Sequence, residues 1–285
     1  MSGLRAMGRV LGSAGGPLTA AALSGVYLYT RLQSPDPLGL ESSATVPAAA
    51  PRGPRALLSR LATGSLARRQ FRYRMRDGSR IRCRLLDSGG PLSVHVDRDY
   101  EVPGVDWRST RTILDIGAHV GSFTLWAANR APSARILAVE PNPESFRMLS
   151  RNIRENGLAD RVTAVHAAVG PQSGTAQLEF LDHSLGTRVA STGAGEFSVR
   201  METVENLLAE ANMDTVDFFK IDCEGMEYVV FEGIDPDRLR STSTLACEYH
   251  PVPGRDVQTI DALLASAGFR VSRPDQPLGV LWATR

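Results

Sequence analysis

Thr112-Ile-Leu-Asp-Ile-Gly-Ala-His-Val-Gly-Ser-Phe-Thr124 decides how the chain is read. Ile113 and Leu114 form a short apolar run bounded by turn residues, as a buried strand does. Asp115 stands at its carboxyl end, Gly117 and Gly121 punctuate the turn, and Phe123, Leu125 and Trp126 open a helical pattern. Strand, glycine loop and helix in that order form a nucleotide-binding half-unit that receives ligand groups at the loop and helix N-terminus. The dinucleotide fingerprint G-x-G-x-x-G would need a glycine at Asp115, whereas the pattern here is D-x-G-A-x-x-G. A carboxylate in that place repels a pyrophosphate and can accept from an ammonium group. S-adenosylmethionine (SAM) has an amino group, a carboxylate and no phosphate, and so fits better than a nicotinamide dinucleotide. The plain alternative is an ordinary strand-turn-helix that happens to hold two glycines.

With 285 residues, the chain can hold one large domain or two small ones. A formal net charge of +1 gives no global case for nucleic acid or an anionic membrane. Lys220 is the sole lysine, so arginine abundance reflects codon bias and the lysine beside a motif stands out. Cys83, Cys223 and Cys247 have neither metal-ligand spacing nor an even count, which suits a reducing, cytoplasmic setting. Val10 to Thr30 is uncharged but interrupted by Gly12, Gly15, Gly16, Pro17 and Gly25. It reads as an N-terminal extension rather than a spanning helix, and no membrane contact is expected. Ser34 to Arg55 is a Pro/Ala/Ser linker.

Phe71 to Leu85 alternates as a hairpin around Asp77-Gly78. An odd loop pairing Met75 with Ile81 sets Phe71, Tyr73 and Met75 beside Ile81, Cys83 and Leu85 on one face. Arg72, Arg74, Arg76, Arg80, Arg82 and Arg84 share the other face, a solvated surface or a dock for an anionic handle. Strands then alternate with helices. Strands are expected at Ala134 to Val139, Val162 to Val169, Val216 to Ile221, Thr244 to Tyr249, Phe269 to Ser272 and Val280 to Thr284. Thr175 to Phe180 and Phe197 to Met201 are added strands around a loop from Leu181 to Glu196. Helices follow Asn142-Pro143, at Val204 to Ala211, Gly225 to Phe231 and Val257 to Ala267. That rhythm implies an α/β fold, a mainly parallel sheet with helices on both faces.

Glu140 ends the second strand about twenty positions beyond the glycine loop, where an acidic residue holds a ribose diol. Lys220, Asp222 and Glu224 end the fourth parallel strand, and Glu248 and His250 end the next. Ligands in open α/β sheets bind outside such strand ends. A hydroxyl nucleophile there benefits from alignment and from a base within hydrogen-bond reach. Asp222 and His250 are the candidate bases, with Lys220 polarising or pairing with the carboxylates. The alternative is a structural Lys-Asp-Glu network at the sheet edge. Asp222, Glu224 and His250 could ligate a hard cation such as magnesium, but spacing across separate strands proves no convergence, and no metal ligand is assigned. His119 is read as bonding or packing inside the loop, His183 as a loop residue, and His95 and His166 show no evident partners. Ala167 and Ala168 are small enough to line an adenine slot.

Together D-I-G-A-H-V-G (115 to 121), E-P-N-P-E-S-F (140 to 146), K-I-D-C-E-G-M-E (220 to 227) and C-E-Y-H-P (247 to 251) resemble the FkbM-type family of SAM-dependent methyltransferases. The resemblance runs from about Tyr100 to Pro251. It implies the class I methyltransferase (Rossmann-like) fold, a seven-stranded sheet with one antiparallel strand, and adenine near Ala167. It also implies O-methylation, often of sugars or secondary metabolites.

The expected organisation is a flexible extension and linker over residues 1–55 and a methyltransferase domain over 56–285. Within that domain, 56–110 would be an N-terminal helix and hairpin and 111–285 the SAM-binding core. The expected cofactor is SAM, held by Asp115, Gly117, His119, Gly121, Glu140 and Ala167. Asp222, His250, Lys220 and Glu224 would carry the chemistry. The expected partner is a small-molecule hydroxyl acceptor, with an anionic or carrier-bound handle as one form, and not nucleic acid. N-methylation, a catalytically silent SAM-binding scaffold and a dinucleotide oxidoreductase are the alternatives.

Overall fold

The computed structural model describes residues 14–17, 69–180, 187–189, 197–276 and 278–285. The linker, the helix expected just after residue 56, and His183 lie outside these residues, as does nearly all of Val10 to Thr30. No helix among the described residues is long and apolar enough to cross a membrane. The chain divides into two compact units, Met1–Asp97 and Arg98–Arg285.

In the first unit, β1 (Gln70–Arg74) pairs antiparallel with β2 (Arg80–Arg84). The faces are as expected, with Tyr73, Met75, Ile81 and Cys83 buried. The register differs by two residues: Tyr73, not Met75, opposes Ile81. Met75 N donates to Ser79 O, closing the turn over Arg76, Asp77 and Gly78. The cause is local, since Asp77 Oδ1 accepts from Ser79 N and Gly78 takes a left-handed φ of 95°. A two-residue shift keeps every side chain on its face. Arg72 opposes Arg82 and Arg74 opposes Arg80. His95, expected without a partner, sets Nδ1 3.4 Å from Asp77 Oδ2.

The second unit carries a seven-stranded sheet in the order β12-β13-β11-β10-β3-β4-β5. These are β3 (Thr112–Ile116), β4 (Arg135–Val139), β5 (Val162–Val165), β10 (Phe218–Ile221), β11 (Thr244–Tyr249), β12 (Arg270–Ser272) and β13 (Gly279–Thr284). In this sheet β13 alone is reversed, pairing antiparallel with both β11 and β12, while the other pairs are parallel. The strand expected from Val162 to Val169 breaks after Val165. Its last residues become β6 (Ala168–Val169), which joins a second sheet with β7 (Gly174–Phe180), β8 (Thr187–Val189) and β9 (Phe197–Glu202). The 181–196 segment is therefore not wholly a loop, because β8 pairs with β7.

Helices cover both faces. On one face α1 (Ser122–Arg130) stacks Phe123 on Phe218 at 5.6 Å, and Trp107 packs between Trp126 and Phe218. The segment from Arg98 thus belongs with the sheet rather than with the hairpin. Beside α1 lies α2 (Pro143–Glu155), started by Asn142, whose Oδ1 accepts from Glu144 N and Ser145 N. On the other face α3 (Val204–Glu210), α4 (Glu227–Gly233), α5 (Pro236–Ser241) and α6 (Val257–Ser266) bury apolar residues against Ile116, Val139, Ile221 and Cys247. The sequence reading missed α5, a single turn and a half signalled only by its Asp235 cap and Pro236.

Candidate active site

Parallel register brings the first pair together. Asp115 on β3 stands opposite Lys220 on β10, so the two side chains share a face. Asp115 is 0% exposed and Lys220 3%. Thr124 Oγ1 donates to Asp115 Oδ2 at 2.5 Å, and Lys220 Nζ lies 3.2 Å from Oδ1. The ammonium also donates to the carbonyls of Ile116 (3.2 Å) and Gly117 (2.6 Å), and lies 3.5 Å from Asp222 Oδ2. Burial pulls the lysine pKa down, but the Asp115 and Asp222 charges outweigh it and hold the value above the ordinary lysine range. The expectation that Asp115 presents an open carboxylate to a ligand ammonium is corrected here. Its oxygens face inward to Thr124 and Lys220, because the strand pleat turns it beneath the loop rather than into it.

The glycine loop is fixed by its backbone. Gly117 has φ 73°, and a Cβ there would lie 1.7 Å from the carbonyl oxygen of Asp222, so only glycine lets the two strand ends meet. Gly117 N and Ala118 N both donate to Val139 O. His119 is also left-handed, at φ 53°, and its N–H donates to Glu140 Oε2 at 2.7 Å. Glu140 Oε1 accepts from Asn142 N at 2.8 Å. Burial lifts the Glu140 carboxyl above the usual range, against the neighbouring His119 and these two N–H donors. Left-handed residues thus fall at 117, 119 and 121, a glycine-like alternation with histidine in the middle place.

Beyond β10 the chain turns through Glu224 (φ 54°) and Gly225 (φ 100°) into α4. Glu227, fully buried in the first turn of α4, holds that bend from inside. Its Oε1 accepts from Cys223 N (2.8 Å) and Gly225 N (3.1 Å), with Oε2 3.0 Å from the latter. His250 Nδ1 meets the same Oε1 at 3.0 Å. His250 Nε2 lies 3.6 Å from Glu224 Oε2 and 4.0 Å from Glu248 Oε1. Burial lowers the His250 pKa, but the Glu227 bond and charge, then Asp222 and Glu224, lift it from 6.5 to about 9. At neutral pH the ring is a cation held among carboxylates. Burial and the Asp222 charge raise Glu224 and, further, Glu248.

Asp222, Glu224, Lys220 and His250 therefore converge at adjacent strand ends, and Gly117 touches the Asp222 backbone. Ala167 is buried in the core between β5 and β6. His166, expected without partners, stacks on Phe146 at 4.9 Å and meets Pro141 O at 2.9 Å. Two members went unread. Glu227 was signalled by the last residue of K-I-D-C-E-G-M-E. Tyr100, whose hydroxyl lies 3.2 Å from Asp222 Oδ2 and 3.1 Å from Glu248 Oε2, had no motif to mark it. Asp222, Glu227 and His250 have ligand-type atoms within 4.8 Å of one another, and the Glu227 oxygens there are taken by backbone N–H groups and the imidazole.

The chain is similar in sequence to known methyltransferases. The chain is 26% identical over 221 residues to methyltransferase sdnD of Sordaria araneosa, covering 64% of this chain and 84% of that protein. It is 25% identical over 218 residues to the 31-O-demethyl-FK506 methyltransferase FkbM of Streptomyces tacrolimicus, covering 65% and 82%. Among solved structures, the FkbM methyltransferase of Methylobacillus flagellatus KT aligns with TM-score 0.44 at 15% identity, covering 68% of this chain and 52% of that one. A family model, the methyltransferase FkbM domain, matches residues 115–271, more than half of the chain. That match starts on the buried Asp115 and takes in every residue of the cluster except Tyr100. The sheet order with its single reversed strand is that of a class I SAM-dependent methyltransferase, and the chain belongs to the FkbM methyltransferase family.

Proposed function

We propose that this protein transfers a methyl group from SAM to a hydroxyl of a small molecule. The observation that carries the reading is Asp222. Its carboxylate is 26% exposed at the sheet's carboxyl edge, directly beyond the glycine loop, and is fixed by Lys220 and Tyr100. The name of the Streptomyces tacrolimicus relative places its methyl group on an oxygen, which supports a hydroxyl acceptor here.

The residues around the loop suit the cofactor. Glu140 is locked by two backbone N–H bonds, which leaves each oxygen a lone pair for a ribose diol. Gly117 and Gly121 keep the loop low, and Ala167 and the Phe146–His166 stack lie at the next strand end. Bound SAM would supply an electrophilic sulfonium methyl group. Asp222 would orient the acceptor hydroxyl and accept its proton as the new C–O bond forms and the methyl C–S bond breaks, its electron pair staying on sulfur. Lys220 would hold Asp222 in place and balance its charge, while Asp115 works through Lys220 rather than on the ligand. His250, already cationic, would hold Glu224 and Glu248 rather than remove a proton.

The test is transfer of isotope from labelled SAM into a metabolite extract of the source organism lacking this gene, followed by mass spectrometry. A labelled oxygen product is expected. Asp222→Asn should lower turnover by about 100-fold or more with SAM affinity changed only a few-fold. Turnover surviving within a few-fold would remove Asp222 as the base, and a labelled nitrogen would replace the hydroxyl acceptor with an amine.

A further inference from the structure

Tyr100 puts one phenol oxygen between two carboxyl groups, 3.2 Å from Asp222 Oδ2 and 3.1 Å from Glu248 Oε2. A phenol has a single hydrogen, and an ionised carboxylate can only accept. With both carboxyls ionised, one of the two contacts would set lone pair against lone pair at a phenol that is itself buried, between two partly exposed carboxylates. Both become hydrogen bonds when one carboxyl carries a proton and donates it to the phenol oxygen. The surrounding charges decide which one. Lys220 Nζ is 3.5 Å from the same Asp222 oxygen, whereas Glu248 Oε1 has His250 Nε2 at 4.0 Å. The arrangement that satisfies every contact runs from Glu248 O–H to the Tyr100 oxygen, and from Tyr100 O–H to Asp222.

We propose that Glu248 is a positioning residue that shares one proton with Asp222 through Tyr100, keeping the pair's single negative charge on Asp222, where the acceptor hydroxyl arrives. The last clause rests on the methyl-transfer reading above; the shared proton does not. Burial and the Asp222 charge raise the Glu248 carboxyl, in keeping with a retained proton. The His250 charge, a Tyr100 hydrogen bond to the ionised form and the Lys220 charge oppose this, and Val280 faces Glu248 from β13. The proton count closes. The acceptor's proton passes to Asp222 and from its exposed edge to solvent, while the Glu248 proton stays in place throughout.

Difference infrared spectroscopy of the full chain in heavy water reads that proton directly. At pH 7 the wild type should show the carbonyl stretch of a protonated carboxylic acid, lost in Glu248→Gln and shifted in Tyr100→Phe. In turnover, Glu248→Ala should lower kcat with the KM for SAM unchanged. Glu248→Gln, whose amide still donates to the phenol, should keep a kcat at least about tenfold above that of the alanine variant. An infrared band unaffected by Glu248→Gln, or equal impairment of the two variants, overturns the proposal. A band that behaves as expected in a protein that transfers no methyl group upholds the shared proton and removes the methyl-transfer reading.

Discussion

Replacing Lys220 with methionine tests the centre of the site without touching its surface. The side chain is of similar length and apolar, so the change removes chiefly the ammonium. Lost with it are contacts to two carboxylates, Asp115 at 3.2 Å and Asp222 at 3.5 Å, and to the carbonyls of Ile116 and Gly117. Asp222 can turn to water, but Asp115 is fully buried and keeps only Thr124. Removing one partner of a buried pair costs about 3–5 kcal/mol, because the other charge stays desolvated. For a unit of this size that corresponds to a fall in Tm of roughly 6–20 °C. The double variant Lys220→Met, Asp115→Asn has no stranded charge, and it should recover at least half of the loss. Melting followed by near-ultraviolet circular dichroism, with urea titration at 25 °C, reads both variants. Lys220 is held above its ordinary range, so the loss should be the same at pH 6 and pH 8.5. A single variant melting within about 3 °C of wild type, or a double variant as unstable as the sum of the singles, would refute a buried, mutually dependent pair.

Gly117→Ala places a methyl group 1.7 Å from the Asp222 carbonyl oxygen at φ 73°. The strand ends must part, so SAM binding measured by calorimetry should be lost and stability should fall by more than about 2 kcal/mol; near-normal affinity would show that the loop tolerates the separation. His250 predicts a pH dependence of stability. Its folded value of about 9 exceeds its unfolded value of about 6.5, so its contribution is whole below pH 6.5 and is lost as the pH rises through 9. Wild type should lose up to about 3 kcal/mol relative to His250→Gln across that window. Parallel urea midpoints for the two proteins from pH 6 to 9.5 would contradict the ion pair with Glu227.

The parts of the site readable in the sequence are those whose geometry is local. D-I-G-A-H-V-G and K-I-D-C-E-G-M-E each encode a bend, left-handed at 117, 119, 121, 224 and 225, and such bends leave glycines at fixed spacing. The mainly parallel α/β sheet followed from the alternation of apolar runs with capped helices, and its single antiparallel strand from the family resemblance. What could not be read depends on which distant residues register against each other. Asp115 faces Lys220 only because β3 and β10 pair in one particular parallel register. Periodicity alone left open whether the Asp115 carboxylate pointed into the ligand crevice or under it. Tyr100 lies before the first strand of the large sheet, outside any periodic element, and its ring meets Phe123 edge-on at 5.3 Å. The hairpin slipped by two residues for the same reason: alternation fixes a face, and only the turn fixes the register.

The single lysine follows from the same geometry. Every other basic side chain here, histidine apart, is arginine. A guanidinium is a planar fork suited to paired, coplanar acceptors. The acceptors at position 220 are two backbone carbonyls and two carboxylates that come from β3, the glycine loop and the turn after β10. A compact ammonium with three donors set tetrahedrally can reach such a scattered group; a fork of five fixed donors would leave several buried N–H groups without partners. Burial of at least 97% leaves no water to supply them. The chemistry of the site therefore selects lysine against the compositional drift of the whole chain. The residue that looked anomalous in the composition is the one that joins the glycine loop, the buried Asp115 and the partly exposed Asp222 into one unit.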